Sequence, residues 1–162
     1  MTNFAALLRL LTGDGVEFIL VGGAAATAHG SVRLTRDLDI VYRRTPENLA
    51  RLAACLAPHR PYLRGAPPGL PFQFDRDTLQ RGLNFTLTTD LGWLDVLGEI
   101  TGGGGFEELL PHSIRVTLYG VECWCLELTH LIEVKRAAGR PRDLDAVAEL
   151  EALLEESKGS AG

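Results

Sequence analysis

Apolar residues recur along much of this chain with the spacing of a helix. In the first such segment, residues 3–11, Phe4, Leu7 and Leu11 fall on one face. A later helix is expected to start at Pro46, because the fixed φ angle of proline suits the first helical position. The pattern predicts helices over residues 3–11, 24–28, 45–56, 75–80, 106–110, 131–138 and 143–155.

Other segments have the composition or the alternation of strands. Phe18–Val21 is apolar throughout, which is typical of a strand covered on both faces. Residues 83–88 and 93–97 are separated by turn-forming residues, so they are expected to pair as a hairpin. A second hairpin is predicted for residues 113–118 and 121–126.

Two segments rich in glycine separate these elements. Residues 64–74 also contain prolines, and we predict that they form a surface flap near a functional site. Residues 102–105 are consecutive glycines that lack the surrounding strand–helix unit of a dinucleotide-binding fingerprint. They are expected to be a flexible connector.

A paired-glycine turn follows the first predicted strand. Gly22 and Gly23 allow the backbone to bend sharply and to approach a ligand closely. The alanine-rich residues 24–28 favour helix. A strand-to-helix turn of this kind directs unpaired backbone N–H groups at a ligand, so it suits phosphate.

A pair of carboxylates lies a short distance downstream. In a strand, Asp37 and Asp39 point to one face, while Leu38 and Ile40 point to the core. Two carboxylates this close repel each other unless a cation lies between them. Mg²⁺ prefers oxygen ligands and completes its shell with water and substrate phosphates. The segment therefore predicts a metal–triphosphate site.

The order of these features resembles that of the polymerase-β-like nucleotidyltransferase superfamily. A hydrophobic strand and Gly-Gly precede an Asp-x-Asp pair, and thirteen residues separate Gly23 from Asp37. Residues 33–39, Arg-Leu-Thr-Arg-Asp-Leu-Asp, look most like the minimal bacterial branch, which includes abortive-infection (AbiEii-like) toxins. The resemblance implies an α+β fold with a mixed β-sheet flanked by helices. It predicts a single nucleotidyltransferase-like domain over residues 1–156 and a disordered tail at 157–162.

A third carboxylate, Asp95, interrupts the apolar strand predicted at residues 93–97. An isolated buried charge is costly and needs a partner, and a salt bridge or a turn cap would also explain it. In the family, an acid on a later strand completes a metal triad, and the resemblance assigns that position to Asp95. It thereby implies that Asp37, Asp39 and Asp95 are catalytic residues and metal ligands, with Mg²⁺ or Mn²⁺ as the cofactor.

Candidate substrate contacts lie on both sides of this motif. We expect a nucleoside triphosphate along the paired-glycine turn, with Thr27 and Arg33 as side-chain contacts. Lys135 resembles the helix lysine of the small bacterial nucleotidyltransferases and would hold a β- or γ-phosphate. It has no acidic residue three or four positions away, although a solvated helix face would also accommodate it. Asp143 equally fits a helix cap.

Composition places the chain among globular domains. Of its 162 residues, 46% are hydrophobic and 23% are charged, and no apolar run approaches the roughly 20 residues of a membrane span. The first residues lack a signal-peptide pattern, so a cytoplasmic location without membrane contact is expected. The net charge of −5 argues against an extended nucleic-acid surface. Residues 33–81 nevertheless carry a local excess of positive charge. This excess indicates either a role in binding phosphate or a chance imbalance of surface charges.

The sequence shows no motif for other common catalytic or metal-binding chemistries. The three cysteines are too few for a disulfide framework and lack zinc-ligand spacing. The four histidines show no metal-binding pairing, and no nucleophile elbow or Walker phosphate loop occurs. Metal-dependent phosphoryl chemistry remains.

The leading functional hypothesis is a metal-dependent nucleotidyltransferase. It would move a nucleoside monophosphate from a triphosphate to a hydroxyl of an unidentified acceptor, which is RNA, protein or a small molecule. One alternative is a non-catalytic nucleotide-binding partner of a toxin–antitoxin pair, and another is a purely structural interaction domain. The third carboxylate favours catalysis, because nucleotide binding alone does not require it.

Overall fold

A mixed β-sheet forms the centre of the computed structural model, which describes residues 1–161, with side chains up to residue 159. In chain order the strands are β1 (Phe18–Val21), β2 (Asp37–Tyr42), β3 (Tyr62–Leu63), β4 (Phe85–Thr89), β5 (Gly92–Leu97), β6 (Glu99–Ile100), β7 (Gly104–Gly105), β8 (Ser113–Leu118) and β9 (Val121–Leu126). Seven of them form one sheet in the order β3-β4-β5-β2-β1-β9-β8, and β6 pairs with β7 separately.

Helices flank the sheet. In the described chain they are α1 (Phe4–Gly13), α2 (Gly22–Ala28), α3 (Pro46–Leu56), α4 (Arg76–Arg81), α5 (Phe106–Leu109), α6 (Leu128–Ala138) and α7 (Pro141–Ala161). Local chemistry explains where two of them begin. The Asn3 side chain accepts a hydrogen bond from the N–H of Ala6 at the start of α1, and Thr45 caps α3 ahead of Pro46. The α+β class, with a mixed sheet flanked by helices, is confirmed.

Strand β2 connects the core to the polar surface. Leu38 and Ile40 are fully buried, whereas Asp37 and Asp39 on the opposite face are only partly buried. The strand pairs antiparallel with β1 and parallel with β5. A strand between two partners is held in register on both sides, so the positions of its carboxylates are well defined.

The loop that follows β3 is packed against the sheet edge by aromatic residues. The ring of Phe72 lies edge-on to Tyr62 at 6.1 Å, and Phe74 lies edge-on to Phe85 at 6.0 Å. Phe74 is buried. Phe72 and Phe74 therefore anchor the end of the predicted flap, while Gln73 between them and most of the proline- and glycine-rich residues before Phe72 are exposed.

Two segments are more regular than the sequence pattern predicts. Within the predicted flexible connector, Gly104–Gly105 pairs with Glu99–Ile100 as the β6–β7 ladder. Helix α7 continues past residue 155 to Ala161, with Lys158 3.8 Å from Glu155 one turn earlier. Residues 157–161 of the expected tail thus belong to the helix, and residue 162 lies outside the described part of the chain. None of the described helices has the length and apolar character needed to span a membrane.

Candidate metal centre and active site

The three predicted carboxylates converge on one face of the sheet. Parallel pairing places Asp39 directly opposite Asp95, and Asp37 lies two residues before Asp39 on the same strand. Each residue offers one carboxylate oxygen, and these oxygens all lie within 4.8 Å of one another. This spacing allows a single cation to contact all three side chains.

The charges of this cluster are poorly compensated. Burial, followed by the nearby charges of Asp37 and Asp95, raises the pKa of Asp39 to about 8. Burial also raises the pKa of Asp95, with a further contribution from Asp37. In the part of the chain that the structure describes, Asp39 Oδ1 is buried without a hydrogen-bond partner. A divalent cation would satisfy this oxygen, so the donor set fits Mg²⁺ or Mn²⁺.

The paired glycines make room for these acids. A Cβ atom on Gly22, whose φ is +62°, would lie 2.1 Å from Asp39 Oδ2. A Cβ atom on Gly23 would lie 2.6 Å from the hydroxyl oxygen of Thr35, which donates a hydrogen bond to the carbonyl of Asp37. The lack of a side chain at Gly22 and Gly23 therefore allows the carboxylate strand to pack close to the start of α2. Helix α2 starts at Gly22 itself, without an intervening turn.

A cavity of about 540 Å³ opens beside Asp39, between Gly22 and helix α6. Lys135 and Arg140 bring positive charge to its wall. Burial lowers the pKa of Lys135, while the charges of Asp143 and Asp39 act in the opposite direction. The structure thus brings Lys135 to the cavity that borders Asp39, and its contact with a phosphate stays a prediction.

Asp143 also reaches the cavity, but its hydrogen bonds are those of a helix cap. It is buried and accepts hydrogen bonds from Nε and Nη2 of Arg140 at 2.6 and 3.2 Å, and from the Arg140 backbone N–H at 3.3 Å. Burial alone would raise its pKa, but the Arg140 hydrogen bonds hold the pKa of Asp143 below its ordinary value. Asp143 thus fixes the start of α7 and orients Arg140.

Three of the five predicted nucleotide-binding residues, Gly23, Thr27 and Arg33, do not line this cavity. The Thr27 hydroxyl donates a hydrogen bond to the carbonyl of Gly23 within α2, at 3.0 Å. Arg33 is exposed in the loop between α2 and β2. Neither lines the cavity. Arg33 is nevertheless close enough for its charge to act on Lys135, and the contacts of Thr27 and Arg33 with a nucleotide stay predictions.

Arg64 is a site residue that the sequence pattern does not reveal. Its Nη2 donates to Asp95 Oδ1 at 2.7 Å, and its Nη1 lies 3.7 Å from Asp37 Oδ2. The guanidinium stacks on Trp93, 4.6 Å from the ring centroid. The placement of residues 64–74 near a functional site offered a partial signal, but it did not single out Arg64.

Comparisons with known proteins agree with the fold. Neither a protein-family model nor a curated relative matches the chain. Among solved structures, it is similar to a Thermotoga maritima protein provisionally assigned as a nucleotidyltransferase, with 14% identity and a TM-score of 0.53. The match covers 93% of this chain and 89% of that one. The chain therefore has a nucleotidyltransferase-like fold, and at 14% identity the similarity shows the fold alone.

Proposed function

We propose that the protein is a metal-dependent nucleotidyltransferase, which moves a nucleoside monophosphate from a nucleoside triphosphate to a hydroxyl acceptor. The convergence of Asp37, Asp39 and Asp95 beside a cavity with basic residues is the observation that carries this proposal. The nucleotidyltransferase-like fold supports it. A carboxylate triad beside a cavity with basic residues suits phosphoryl transfer, because such catalysis depends on positioning and charge compensation.

Each side chain has a part in the proposed mechanism. Asp37, Asp39 and Asp95 would hold Mg²⁺ or Mn²⁺, which supplies charge neutralisation and a lower pKa for the acceptor hydroxyl. The triphosphate would lie in the cavity with its terminal phosphates towards Lys135, and the backbone at Gly22 and the neighbouring Gly23 would bound its other side. The acceptor oxygen bonds to the α-phosphorus, the bond to the β-phosphate oxygen breaks, and pyrophosphate leaves as the hydroxyl proton passes to solvent.

The first test is the Asp37→Asn variant, assayed with Mg²⁺, each α-labelled nucleoside triphosphate and a cell extract. Transfer of label should be lost, because an amide cannot provide the anionic metal ligand. Circular dichroism should remain unchanged. Asp77→Asn is the matched control, since Asp77 is an exposed acid on α4. Full activity of Asp37→Asn would refute the proposed site.

The same assay addresses the acceptor. A labelled RNA band, a labelled protein band or a labelled small molecule would each identify one of the acceptor classes. We include a cognate toxin or antitoxin among the proposed protein partners. The competing hypothesis, a non-catalytic nucleotide-binding partner of a toxin–antitoxin pair, predicts triphosphate binding without release of pyrophosphate. The convergence of all three carboxylates favours catalysis over that alternative.

A further inference from the structure

Arg64 belongs to a row of side chains that crosses the sheet into the carboxylate cluster. Its backbone N–H donates to the carbonyl of Thr86 at 2.9 Å, which extends the β3–β4 ladder by one residue. Thr86 is paired with Asp95 on β5, and Asp95 is paired with Asp39 on β2. The backbone pairing therefore fixes the Cα position of Arg64, which lies beside Thr86 on the neighbouring strand.

The guanidinium itself is held by several contacts. Besides Asp95, Nη2 donates to the carbonyl of Leu87 at 2.9 Å, and Trp93 lies beneath the guanidinium plane. In the described residues, however, Nε is buried and makes no hydrogen bond. This arrangement is well defined, but it leaves the buried Nε donor unpaired, at a cost in free energy.

The compensation of the three negative charges is uneven. Arg64 contacts Asp95 and approaches Asp37, but no contact joins it to Asp39, whose Oδ1 remains buried and unpaired among the described residues. Lys135 acts on Asp39 only through its charge. Sites for phosphoryl transfer commonly hold two divalent ions about 3.5–4 Å apart. In such an arrangement a position beside Asp39 would have an unpaired oxygen available, whereas a position at Asp95 would meet a guanidinium that is already bound there.

We propose that Arg64 is a built-in counter-ion that holds the second cation position in the nucleotide-free protein. The protein alone then binds one divalent ion, and a second ion reaches Asp95 only after Arg64 has moved away. This inference rests on the proposed function, because it assumes that the carboxylates are metal ligands. Arg64 is a positioning residue in this scheme, since it controls the availability of a ligand and takes no part in bond formation.

Electrostatics give the reason for this order of binding. A guanidinium at hydrogen-bond distance from Asp95 Oδ1 repels a divalent ion at the same carboxylate. Although Arg64 does not line the cavity, phosphates bound beside Asp39 would offer it a replacement partner, because a guanidinium binds phosphate oxygens as well as it binds carboxylates. Arrival of the triphosphate would therefore release Asp95 and complete the metal site.

The test is a titration of the nucleotide-free protein with Mn²⁺ alone. Calorimetry and electron paramagnetic resonance monitor the number of bound ions and their affinity. The wild-type protein should bind one ion. Arg64→Met keeps an unbranched stem against Trp93 but removes the charge, so a second ion should bind. Affinity at that position should rise on the order of tenfold, as expected for removing one nearby charge in a partly exposed site.

The matched control is Arg44→Met. Arg44 also lies over an aromatic ring, 5.7 Å from the centroid of Tyr42, and donates to the Leu79 carbonyl at 3.2 Å. It makes no contact with the carboxylate cluster among the described residues, so this variant should bind one ion with wild-type affinity. Circular dichroism of each variant establishes that it is folded.

Each further outcome would overturn a specific part of the proposal. Two ions in the nucleotide-free wild type would refute the role of Arg64, whether or not the variant folds. Unchanged ion number and affinity in Arg64→Met would refute it as well. A protein that binds no Mn²⁺ would contradict the metal-dependent function and this inference together. One ion in the wild type, two in Arg64→Met and no nucleotide transfer would refute the proposed function alone.

Discussion

The two sides of the carboxylate cluster compensate its charge in different ways. On the α6 side, Lys135 and Arg140 stand back from Asp39 across a cavity of about 540 Å³, so positive charge is present but space remains. On the β3 side, Arg64 is in direct contact with Asp95. One side therefore leaves space beside its positive charges, whereas on the other side a positive charge is already paired with a carboxylate of the cluster.

This comparison also separates two uses of arginine. Arg140 is bound to Asp143, a carboxylate outside the cluster, so its charge reaches the cavity without blocking a metal ligand. Arg64 is bound to Asp95, a member of the cluster, so the same type of hydrogen bond occupies a proposed metal ligand. The partner of each guanidinium, and not the residue type, determines what it does in the site.

The largest effect is expected from Gly22→Ala, because Gly22 packs against Asp39, the carboxylate of the cluster that lines the cavity. The new Cβ atom would lie 2.1 Å from Asp39 Oδ2, and φ at this residue is +62°. We expect a loss of about 2 kcal/mol or more in the free energy of unfolding, together with loss of Mn²⁺ binding. Urea denaturation and calorimetry measure the two quantities.

Gly120→Ala separates backbone strain from the clash. Gly120 has a similar φ of +76°, but no atom lies within 4 Å of the position that its Cβ would occupy. Its replacement should cost only the strain of the backbone, about 1 kcal/mol, and should leave Mn²⁺ binding intact. Equal losses of stability and unchanged metal binding in the two variants would show that Gly22 does not support Asp39.

The carboxylate cluster was accessible to sequence reasoning because its determinants are local or belong to a known motif. Alternation within β2 places Asp37 and Asp39 on one face whatever the rest of the sheet does. Asp95 needed the family resemblance, since a lone acid in a strand has several explanations. The structure adds the pairing of Asp39 with Asp95, which no local pattern contains.

Arg64 could not be predicted, because its position depends on long-range contacts and not on a local pattern. Strand β3 has two residues, too few to show an alternation, and its place beside β4 depends on long-range pairing. Thr27 stays a predicted nucleotide contact. The structure adds that its hydroxyl donates to the Gly23 carbonyl within α2, as threonine often does to the carbonyl one turn earlier.

The next largest effect is expected on the cavity side, from Lys135→Met. Removing a partly buried ammonium that faces the proposed phosphates should reduce kcat/KM for the triphosphate about ten- to a hundredfold, the usual range for losing a charged hydrogen bond. Steady-state release of pyrophosphate measures it. Mn²⁺ binding without nucleotide should change little, since Lys135 makes no direct contact with the carboxylates in the described structure.

Arg136→Met is the control for Lys135→Met. Arg136 is the next residue of α6, but it is exposed and paired with Glu151. Its replacement should leave kcat/KM within about twofold, because exposed ion pairs contribute little. If both variants lost activity equally, the effect would come from the helix as a whole, and the distinction between the two sides of the cluster would lose its basis.

The smallest effect is expected from Asp143→Asn, which tests whether Asp143 is a cap or a substrate residue. Its hydrogen bonds with Arg140 should contribute about 1 kcal/mol at pH 7, and the KM for the triphosphate should stay unchanged. Because the folded-state pKa of Asp143 is lowered from 3.8, this stability is present above about pH 4 and is lost as the pH falls through the lower folded value. Urea denaturation from pH 7 to pH 3 should therefore show the variant and the wild type converging in their free energies of unfolding.

Asp145→Asn, at an exposed position of the same helix, should show no such convergence. An increase in KM for Asp143→Asn with unchanged stability would instead place this carboxylate among the substrate contacts, and the cavity side would then use Arg140 differently from the way its hydrogen bonds indicate.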